Sequence, residues 1–334
     1  MVKAMTDSNV PKQRLVARAL RAGGPEVLAI ETEDLVPLGP GQALVRVEAV
    51  GLNHVESLVR SGTYSIRFPF PYAAGVEGAG TIVAVGPDVV IVPGTRVCWT
   101  AVIGSCATFV IAPAQMLAAL PDGLSVEEGA CLAHAAITAA GLFRHCPIAR
   151  GSTAVVWGAA GAVGRLLVAL LTDRGVSVIG IASGARTSAA RNAGAAAVVD
   201  RSTENVVETV RRHTGGTGVT AVFDPVGEET YQTNLALLAP RGYLVNYGQL
   251  SGALPSVDLG QLMEAGSIFV TKYGHRAALI QPGQIAGFIS EALALATTRP
   301  LATDIAARIP LERARDAYQM LDSNPAGKVL VVPH

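Results

Sequence analysis

The sequence is poor in charged residues, and it contains no block of like charge. Only 16% of its 334 residues are charged, and lysine plus arginine equals aspartate plus glutamate at 26 each. A chain without a basic excess is poorly suited to bind nucleic acid or an anionic membrane surface, so we expect neither as a partner. A small-molecule enzyme fits this composition better.

Metal-type cysteine patterns and long apolar runs are also missing. The four cysteines form no CxxC pair, so we expect buried, reduced thiols in a cytoplasmic protein. The longest uncharged run, between Arg96 and Asp122, contains Gly104 and Pro113 and predicts buried strands and turns, not a membrane helix. No long apolar segment precedes Pro11, so we expect no signal peptide.

The chain does have enough hydrophobic residues, 50%, for a large core, and its 334 residues suggest two domains. Short alternating strands between Pro and Gly turns predict a twisted antiparallel sheet or partial barrel up to about residue 127. Strands and helices then alternate, which predicts a parallel sheet. Its predicted strands are 154–157, 176–181, 197–200, 219–223, 243–247 and 269–271. A helix at 284–296, a strand at 306–309 and a helix at 311–321 are predicted to follow, and we expect the last strand, 328–332, to return to the N-terminal sheet.

The segment Gly158–Gly164 is the most informative motif. It follows the apolar run Thr153–Trp157 and precedes a helical stretch, Arg165–Arg174, and a second strand, Val176–Ile181. A strand, a glycine-rich turn, a helix and a strand form the first unit of a dinucleotide-binding fold, although Ala159 takes the place of one glycine. Small residues there let backbone N–H groups approach a pyrophosphate at the positive end of the helix.

Several further motifs occur together in the order of one family: Ala49–Asn53, Arg60–Tyr64, Ala74–Gly80, Asp224–Gly227 and Gly327–Lys328. From about residue 15 onward the chain resembles the zinc-independent quinone oxidoreductases, the zeta-crystallin-like branch of the medium-chain dehydrogenase/reductase superfamily. The resemblance implies an α/β protein with a GroES-like β-rich catalytic domain plus a Rossmann doubly wound parallel sheet. We expect the catalytic domain to be discontinuous, 1–127 and 273–334, around a Rossmann domain at 128–272.

The positions that bind zinc in related dehydrogenases are altered. Those relatives have a cysteine just after the strand that here ends at Gly51, and a histidine where Val76 stands before Glu77. Valine does not bind metals, and His54 and Glu56, two polar residues on a short turn, are too few for a zinc site. We therefore expect no metal.

The choice of cofactor depends on the residues after the second predicted parallel strand. No acid stands there to accept from a ribose 2′-OH, whereas Ser183 and Arg186 offer a hydroxyl and a guanidinium. Arg201 takes the place of a family tyrosine after the third strand. NADPH is therefore expected over NADH. The alternative is that both arginines are solvated surface residues.

The resemblance also implies a set of cofactor contacts. Gly248–Gln249 and Phe269–Thr271 would hold the nicotinamide carboxamide through backbone groups, and Lys328 would lie near the phosphates. The alternatives are a turn-stabilising role for Asn53, a core position for His134 and a surface charge for Lys328. The full set of expected cofactor contacts is Asn53, His134, Thr138, Ala160, Gly161, Ala162, Val163, Ser183, Arg186, Arg201, Tyr247, Gly248, Gln249, Phe269, Val270, Thr271 and Lys328.

Two residues are candidates for the chemistry. By the same resemblance, Tyr64 and Asn53 face the cleft in which a hydride passes to a quinone or to the β-carbon of an activated alkene. Tyr64 would donate a proton or a hydrogen bond to the developing oxyanion, or else form an aromatic wall. Segments 64–71 and 273–280 would shape the acceptor pocket.

Three functions stay open at this point: an NADPH:quinone reductase, an NADPH-dependent enone, enal or enoyl-thioester reductase, and a protein that binds NADPH without turnover. The resemblance also implies a homodimer that pairs the apolar last Rossmann strand, Ser267–Thr271. We expect Val270→Pro to weaken that assembly by removing a donor from the strand. The alternative is that residues 274–281 cover the strand edge.

Overall fold

The structure is a computed structural model that describes residues 11–64, 67–274, 282–301, 304–323 and 325–334. The chain divides into two compact units. Unit 1 consists of Met1–His134, Gln281–Thr297 and Ala302–His334, and unit 2 consists of Ala135–Ile280 and Thr298–Leu301. The domain limits predicted at residues 127 and 272 stay predictions, because a compact unit is not defined by independent folding.

The described residues form these strands: β1 Gln13–Ala19, β2 Leu28–Asp34, β3 Gln42–Gly51, β4 Tyr72–Ala73, β5 Glu77–Val85, β6 Arg96–Thr100, β7 Phe109–Pro113, β8 Leu117–Ala119, β9 Thr153–Trp157, β10 Ser177–Ala182, β11 Ala197–Asp200, β12 Val219–Asp224, β13 Leu238–Asn246, β14 Phe269–Lys272, β15 Ile305–Pro310 and β16 Lys328–Val332. The helices are α1 His54–Ser61, α2 Val126–His145, α3 Ala162–Asp173, α4 Thr187–Asn192, α5 Val206–His213, α6 Tyr231–Leu237, α7 Leu259–Glu264, α8 Pro282–Ala296 and α9 Ala314–Asp322. No helix among the described residues is both long and apolar enough to cross a membrane.

Unit 1 is built on β-sheets. One sheet has the order β15-β16-β3-β5-β6-β8, with β7 also paired to β3, and a smaller sheet has the order β2-β1-β4. Alternation along β3 places Val45 and Val47 in the core while Arg46 faces solvent. The last strand, β16, pairs antiparallel with β3 through Leu330 and Val331, which confirms the predicted return of the C-terminus to the N-terminal sheet.

Unit 2 contains a six-stranded parallel sheet in the order β11-β10-β9-β12-β13-β14. The order runs outward in both directions from β9, as in a Rossmann fold, so the predicted fold class is confirmed. Ala154, Val155 and Val156 of the first strand have no exposed surface. Continuous burial of this kind requires cover on both faces of the sheet, which explains the apolar run in the sequence.

Most of the predicted element limits differ from the observed ones by a few residues, and two of the differences have a clear local cause. Strand β13 begins at Leu238 instead of residue 243, because Leu238 already pairs with Val219 before the register shifts. The last helix begins at Ala314 instead of residue 311, since a 3₁₀ turn precedes it and Arg313 has φ −105° and ψ 27°, outside the helical region. Neither difference moves a candidate site residue.

Candidate active site

The glycine turn between β9 and α3 has no room for larger residues. Gly158 has φ +62°, and the Gly161 N–H donates to the Gly158 carbonyl at 2.8 Å. A Cβ atom on Gly164 would lie 2.1 Å from the same carbonyl oxygen. The first turn of α3, which follows Gly161, has N–H groups without partners inside the helix. The predicted contacts Ala160, Gly161, Ala162 and Val163 therefore lie around a backbone cradle suited to a phosphate.

A buried arginine lies against this turn, and the sequence reasoning missed it. Arg165 is buried, and its Nε donates to the Ala160 carbonyl at 2.8 Å. Its guanidinium adds positive charge to the positive end of α3. In the sequence, an arginine directly after the third glycine of the turn was the signal that could have identified this residue.

The predicted 2′-phosphate residues converge at the ends of β10 and β11. Arg201 Nε donates to Ser183 Oγ at 3.0 Å, and the exposed Arg186 lies in a short turn whose N–H reaches the Ser183 carbonyl at 3.3 Å. Asp200, which was not predicted, accepts from the Gly184 N–H at 3.1 Å. Hydrogen bonds from the Ser202 hydroxyl and from the backbone N–H groups of Gly184 and Ser202 hold the pKa of Asp200 below its usual range. Contact of these residues with a cofactor stays a prediction.

The carboxyl end of β13 carries Tyr247, Gly248 and Gln249. A Cβ atom on Gly248 would lie 2.2 Å from the Pro225 carbonyl oxygen, so this backbone is pressed against the loop after β12. Burial, and then the charge of Asp224, raise the pKa of the half-buried Tyr247 phenol. Gln249 is exposed. The contact between Gly248 and Pro225 therefore fixes the position of the predicted carboxamide-binding stretch.

The three predicted residues of β14 have different surroundings. Phe269 is 44% exposed and stacks on Tyr243, with ring centroids 4.9 Å apart. Val270 packs against the apolar core of unit 2, and Thr271 Oγ1 lies 3.0 Å from His145 Nε2. Successive side chains of a strand point to opposite faces, so neighbouring residues of β14 are expected to have different surroundings.

In unit 1, a buried ion pair joins the beginnings of β5 and β16. Lys328 Nζ lies 2.6 Å from Glu77 Oε2 and donates to Asn53 Oδ1 at 2.9 Å. Asn53 Nδ2 donates to the same Glu77 oxygen at 2.8 Å and to the Gly51 carbonyl at 3.1 Å. Glu77 has no exposed surface and Lys328 is 9% exposed, so the alternative of a surface charge at Lys328 is wrong. The Asn53 side chain also binds its own turn, which agrees with the alternative that Asn53 stabilises the turn.

Glu56 belongs to the same cluster, and the description of it as an ordinary polar residue on a turn is wrong. It lies in α1, is buried, and accepts from the Asn53 N–H at 3.1 Å and from the Tyr318 hydroxyl at 2.7 Å. Burial raises its pKa to about 7, although Tyr318 and Asn53 oppose the shift. Glu77 raises this pKa further and Lys328 lowers it. Glu56 is therefore half-protonated near neutral pH.

His134 and Thr138 lie in α2. The His134 backbone N–H donates to Glu77 Oε1 at 2.5 Å, and its ring Nδ1 lies 3.0 Å from the buried Thr100 hydroxyl. Burial, and then the charge of Lys328, lower the pKa of His134 to about 3, so this imidazole is neutral at physiological pH. Thr138 is buried. A neutral, hydrogen-bonded His134 fits the core alternative, and a cofactor contact there stays a prediction.

Tyr64 follows α1 and is half-buried, with its N–H donating to the Leu58 carbonyl at 3.1 Å. Of the predicted pocket segments, residues 65–66 and 275–280 lie outside the described residues. The part of the chain that the structure describes contains no group of three or more His, Cys, Asp or Glu side chains placed to hold a metal ion.

Glu77 and Lys272 are site residues that the sequence reasoning did not select. Glu77 was considered only as part of a zinc triplet, and Lys272 only as the residue that ends a strand. The chain has only four lysines, and two of them, Lys272 and Lys328, bind polar groups at strand ends. A rare lysine beside a strand end was therefore the signal that could have found Lys272.

Glu56 should make stability depend on pH. The folded-state pKa of about 7 exceeds the ordinary 4.5, so the folded protein holds this proton more tightly than the unfolded chain does. Its stabilising effect is complete below pH 4.5 and is lost as the pH rises through 7. The variant Glu56→Gln mimics the protonated carboxyl. From pH 5 to pH 8 we expect the wild type to lose roughly 2–3 kcal/mol of unfolding free energy relative to this variant.

The measurement is urea unfolding of both proteins at several pH values. Titrating groups distant from Glu56 are common to both proteins and cancel in the difference. If the unfolding free energies of the two proteins change in parallel with pH, Glu56 does not titrate in this range.

Two family models match the sequence. The alcohol dehydrogenase GroES-like domain matches residues 39–148, and a model described as zinc-binding dehydrogenase matches residues 162–279. The first range contains strands β3 to β8 of unit 1, and the second contains strands β10 to β14 of the parallel sheet of unit 2.

Known proteins resemble the chain over nearly its whole length. A quinone oxidoreductase of Pseudomonas aeruginosa is 33% identical over 318 residues, which cover 93% of this chain and 97% of that protein. A 2-haloacrylate reductase of a Burkholderia species is 31% identical over 75% of this chain and 78% of its own length. The crystal structure of Escherichia coli quinone oxidoreductase complexed with NADPH matches with a TM-score of 0.81 and 29% identity, covering 96% and 100% of the two chains.

Proposed function

Since this chain belongs to the quinone oxidoreductase branch of the medium-chain dehydrogenase/reductase superfamily, we propose that it reduces a quinone with NADPH and without zinc. The reaction consumes NADPH, a proton and the quinone, and it releases NADP⁺ and the hydroquinone. All four cysteines are buried and none forms a disulfide, which supports a reducing, cytoplasmic location.

The glycine cradle between β9 and α3 is the observation that carries the proposal. Gly158 and Gly164 approach so closely that a side chain on Gly164 would displace the turn, and the first N–H groups of α3 have no partner inside the helix. This arrangement fits the pyrophosphate of a dinucleotide. NADPH, when bound, supplies the hydride. Arg186, Arg201 and Ser183 would hold its 2′-phosphate, a charge that NADH lacks.

The cluster around Glu77 supports a reaction without zinc. Val76 stands where a zinc ligand would be needed, and the Lys328 ammonium already neutralises the Glu77 carboxylate at 2.6 Å. We propose that Asn53 and Tyr64 orient the acceptor, with the Tyr64 hydroxyl donating to its developing oxyanion. Lys328, held by Asn53 and Glu77, would offer its remaining N–H to the cofactor.

Reduction of an activated carbon–carbon double bond is the second candidate. The similarity to a 2-haloacrylate reductase favours it, because the name of that relative gives its substrate as a 2-haloacrylate, which is an alkene that bears a carboxylate. Both reactions deliver a hydride to a conjugated carbonyl system, and in both the negative charge develops on the carbonyl oxygen. They therefore use the same orienting residues, and the acceptor pocket makes the difference.

Steady-state kinetics with a panel of acceptors tests the proposal. NADPH oxidation is followed at a fixed enzyme concentration with 1,4-benzoquinone, 9,10-phenanthrenequinone, a trans-2-alkenal and 2-chloroacrylate. We expect the highest kcat/KM with a quinone. A preference for the alkenal or for 2-chloroacrylate would instead support the second candidate. Tight NADPH binding with no acceptor-dependent oxidation would identify a binding protein.

Cofactor preference should depend on the two arginines near Ser183. We expect the double variant Arg186→Ala/Arg201→Ala to raise the KM for NADPH by about 10-fold or more and to leave the KM for NADH within about twofold. The matched control is Arg191→Ala, which removes an exposed guanidinium from α4. Equal changes in the two KM values would mean that these arginines do not recognise the 2′-phosphate.

We also propose that the protein is a homodimer joined along β14. This strand ends the parallel sheet among the described residues, which exclude 275–281 of the segment that would cover it in the alternative, and its aromatic Phe269 is exposed. Leu259 and Met263 of the preceding helix α7 are exposed as well. An uncovered strand edge with apolar neighbours is an aggregation hazard, which a twofold partner would remove.

The mass in solution tests the assembly. The chain has a mass of 34.3 kDa, so we expect light scattering at micromolar concentration to give about twice that value. Val270→Pro should shift the mass toward the monomer, whereas Val36→Pro, at an exposed position outside the strands, should not. A wild-type protein with the monomer mass would contradict the dimer.

A further inference from the structure

A polar network joins the loops at the carboxyl ends of β12 and β13, and the residues proposed above do not account for it. The Asp224 carboxylate has no exposed surface. It accepts hydrogen bonds from the Val226 N–H at 2.8 Å, from the Gly227 N–H at 3.2 Å and from the Thr230 hydroxyl at 2.9 Å. A buried carboxylate with three donors is fixed in one orientation.

The next member of the network is the buried amide of Asn246. Its Nδ2 donates to the Asp224 backbone carbonyl at 3.1 Å and to Asp224 Oδ2 at 3.3 Å. The amide oxygen must therefore face the other way, where it accepts from Lys272 Nζ at 2.5 Å. Asn246 thus connects a buried negative charge to a positive charge at the end of β14.

Lys272 makes a second contact, with the peptide of Gly248. Its Nζ donates to the Gly248 carbonyl at 2.7 Å. Gly248 is also pressed against Pro225. A Cβ atom on Gly248 would lie 2.2 Å from the Pro225 carbonyl oxygen. Burial lowers the pKa of Lys272 and the charge of Asp224 raises it. The Gly248 peptide is therefore held from two sides.

We propose that Lys272 is a positioning residue for the nicotinamide ring and acts through the Gly248 carbonyl. The inference rests on the function proposed above, in which Gly248–Gln249 hold the carboxamide. A carbonyl oxygen has two lone pairs, so it accepts from Lys272 and from the carboxamide NH₂ together. Without the ammonium, the Gly248 carbonyl loses one of its two restraints, and the hydride donor loses its alignment with the acceptor.

The test compares ligands that contain the nicotinamide with one that lacks it. We expect Lys272→Met to weaken NADPH binding by about 10-fold and to lower kcat by about 10- to 100-fold, while the Kd for 2′,5′-ADP stays within about twofold. Lys272→Arg, which keeps a cationic donor, should recover most of the lost kcat. Lys12→Met, at another exposed lysine, is the matched control. If Lys272→Met does not fold, Lys272→Gln is measured in its place.

Two outcomes would overturn the proposal. Unchanged kinetics in Lys272→Met would show that the ammonium is not needed at Gly248, and equal weakening of NADPH and 2′,5′-ADP would mean that Lys272 only stabilises unit 2. A wild-type protein that binds 2′,5′-ADP but not NADPH would also overturn it. Failure of the wild type to bind any of these ligands would instead refute the proposed function itself, and the positioning role with it.

Discussion

Replacing Lys328 by methionine is expected to lower the free energy of unfolding by about 3–5 kcal/mol. The methionine keeps most of the side-chain volume but removes the ammonium 2.6 Å from Glu77, which has no exposed surface. The carboxylate would keep the His134 N–H and the Asn53 amide as donors, yet it would have lost its only ion-pair partner among the described residues. A buried charge without its counter-charge is costly.

Urea unfolding of four proteins checks this expectation. The double variant Lys328→Met/Glu77→Gln removes both charges and should recover most of the lost stability. Arg308→Met is the matched control, because Arg308 also lies 2.6 Å from its partner, Glu127, but 54% of its side chain is exposed. Exposed pairs contribute about 0–1 kcal/mol, so the control should change little. Equal losses in Lys328→Met and Arg308→Met would contradict the burial argument.

Gly164→Ala should disrupt the phosphate cradle. The new Cβ atom would lie 2.1 Å from the Gly158 carbonyl oxygen and 2.8 Å from Ala159 Cα, both backbone atoms. The turn has to open to relieve these contacts, which costs about 1–3 kcal/mol of stability and displaces the N–H groups of α3. We expect the affinity for NADPH to fall by roughly 100-fold.

Fluorescence titration of NADPH measures the loss, and circular dichroism verifies that the variant is folded at the titration temperature. The matched control is Gly287→Ala in α8, where a Cβ atom would have no heavy atom within 4 Å. That change should leave NADPH binding intact and raise stability by up to about 1 kcal/mol. Wild-type affinity in Gly164→Ala would show that the turn does not hold the cofactor.

The sequence predicted the Rossmann sheet well because its strands are short, apolar and separated by clear helical or turn segments. Strand β11 was predicted with the same limits that the structure has. The glycine turn was predicted for a related reason, since the need for close backbone approach leaves few residue types possible. Local constraints of this kind can be read from one segment.

The buried polar network of unit 1 could not be predicted in this way. Glu77 and Lys328 are 251 residues apart, and Glu56 and Tyr318 are 262 apart. Nothing in the local pattern of either segment states that these side chains meet, because their pairing depends on the return of β16 to β3. Burial of Glu56 follows from the same packing, so its raised pKa was equally hidden.

The most direct test of the central claim is the rate of NADPH oxidation by chelator-treated protein in the presence of 9,10-phenanthrenequinone. We expect turnover that saturates with both NADPH and the quinone, that is unchanged by prior removal of metal ions, and that is at least about 10-fold slower with NADH at equal concentration. Loss of the activity on chelation, with recovery on addition of Zn²⁺, would contradict zinc-free chemistry. Absence of quinone-dependent oxidation in the untreated protein would contradict the proposed function.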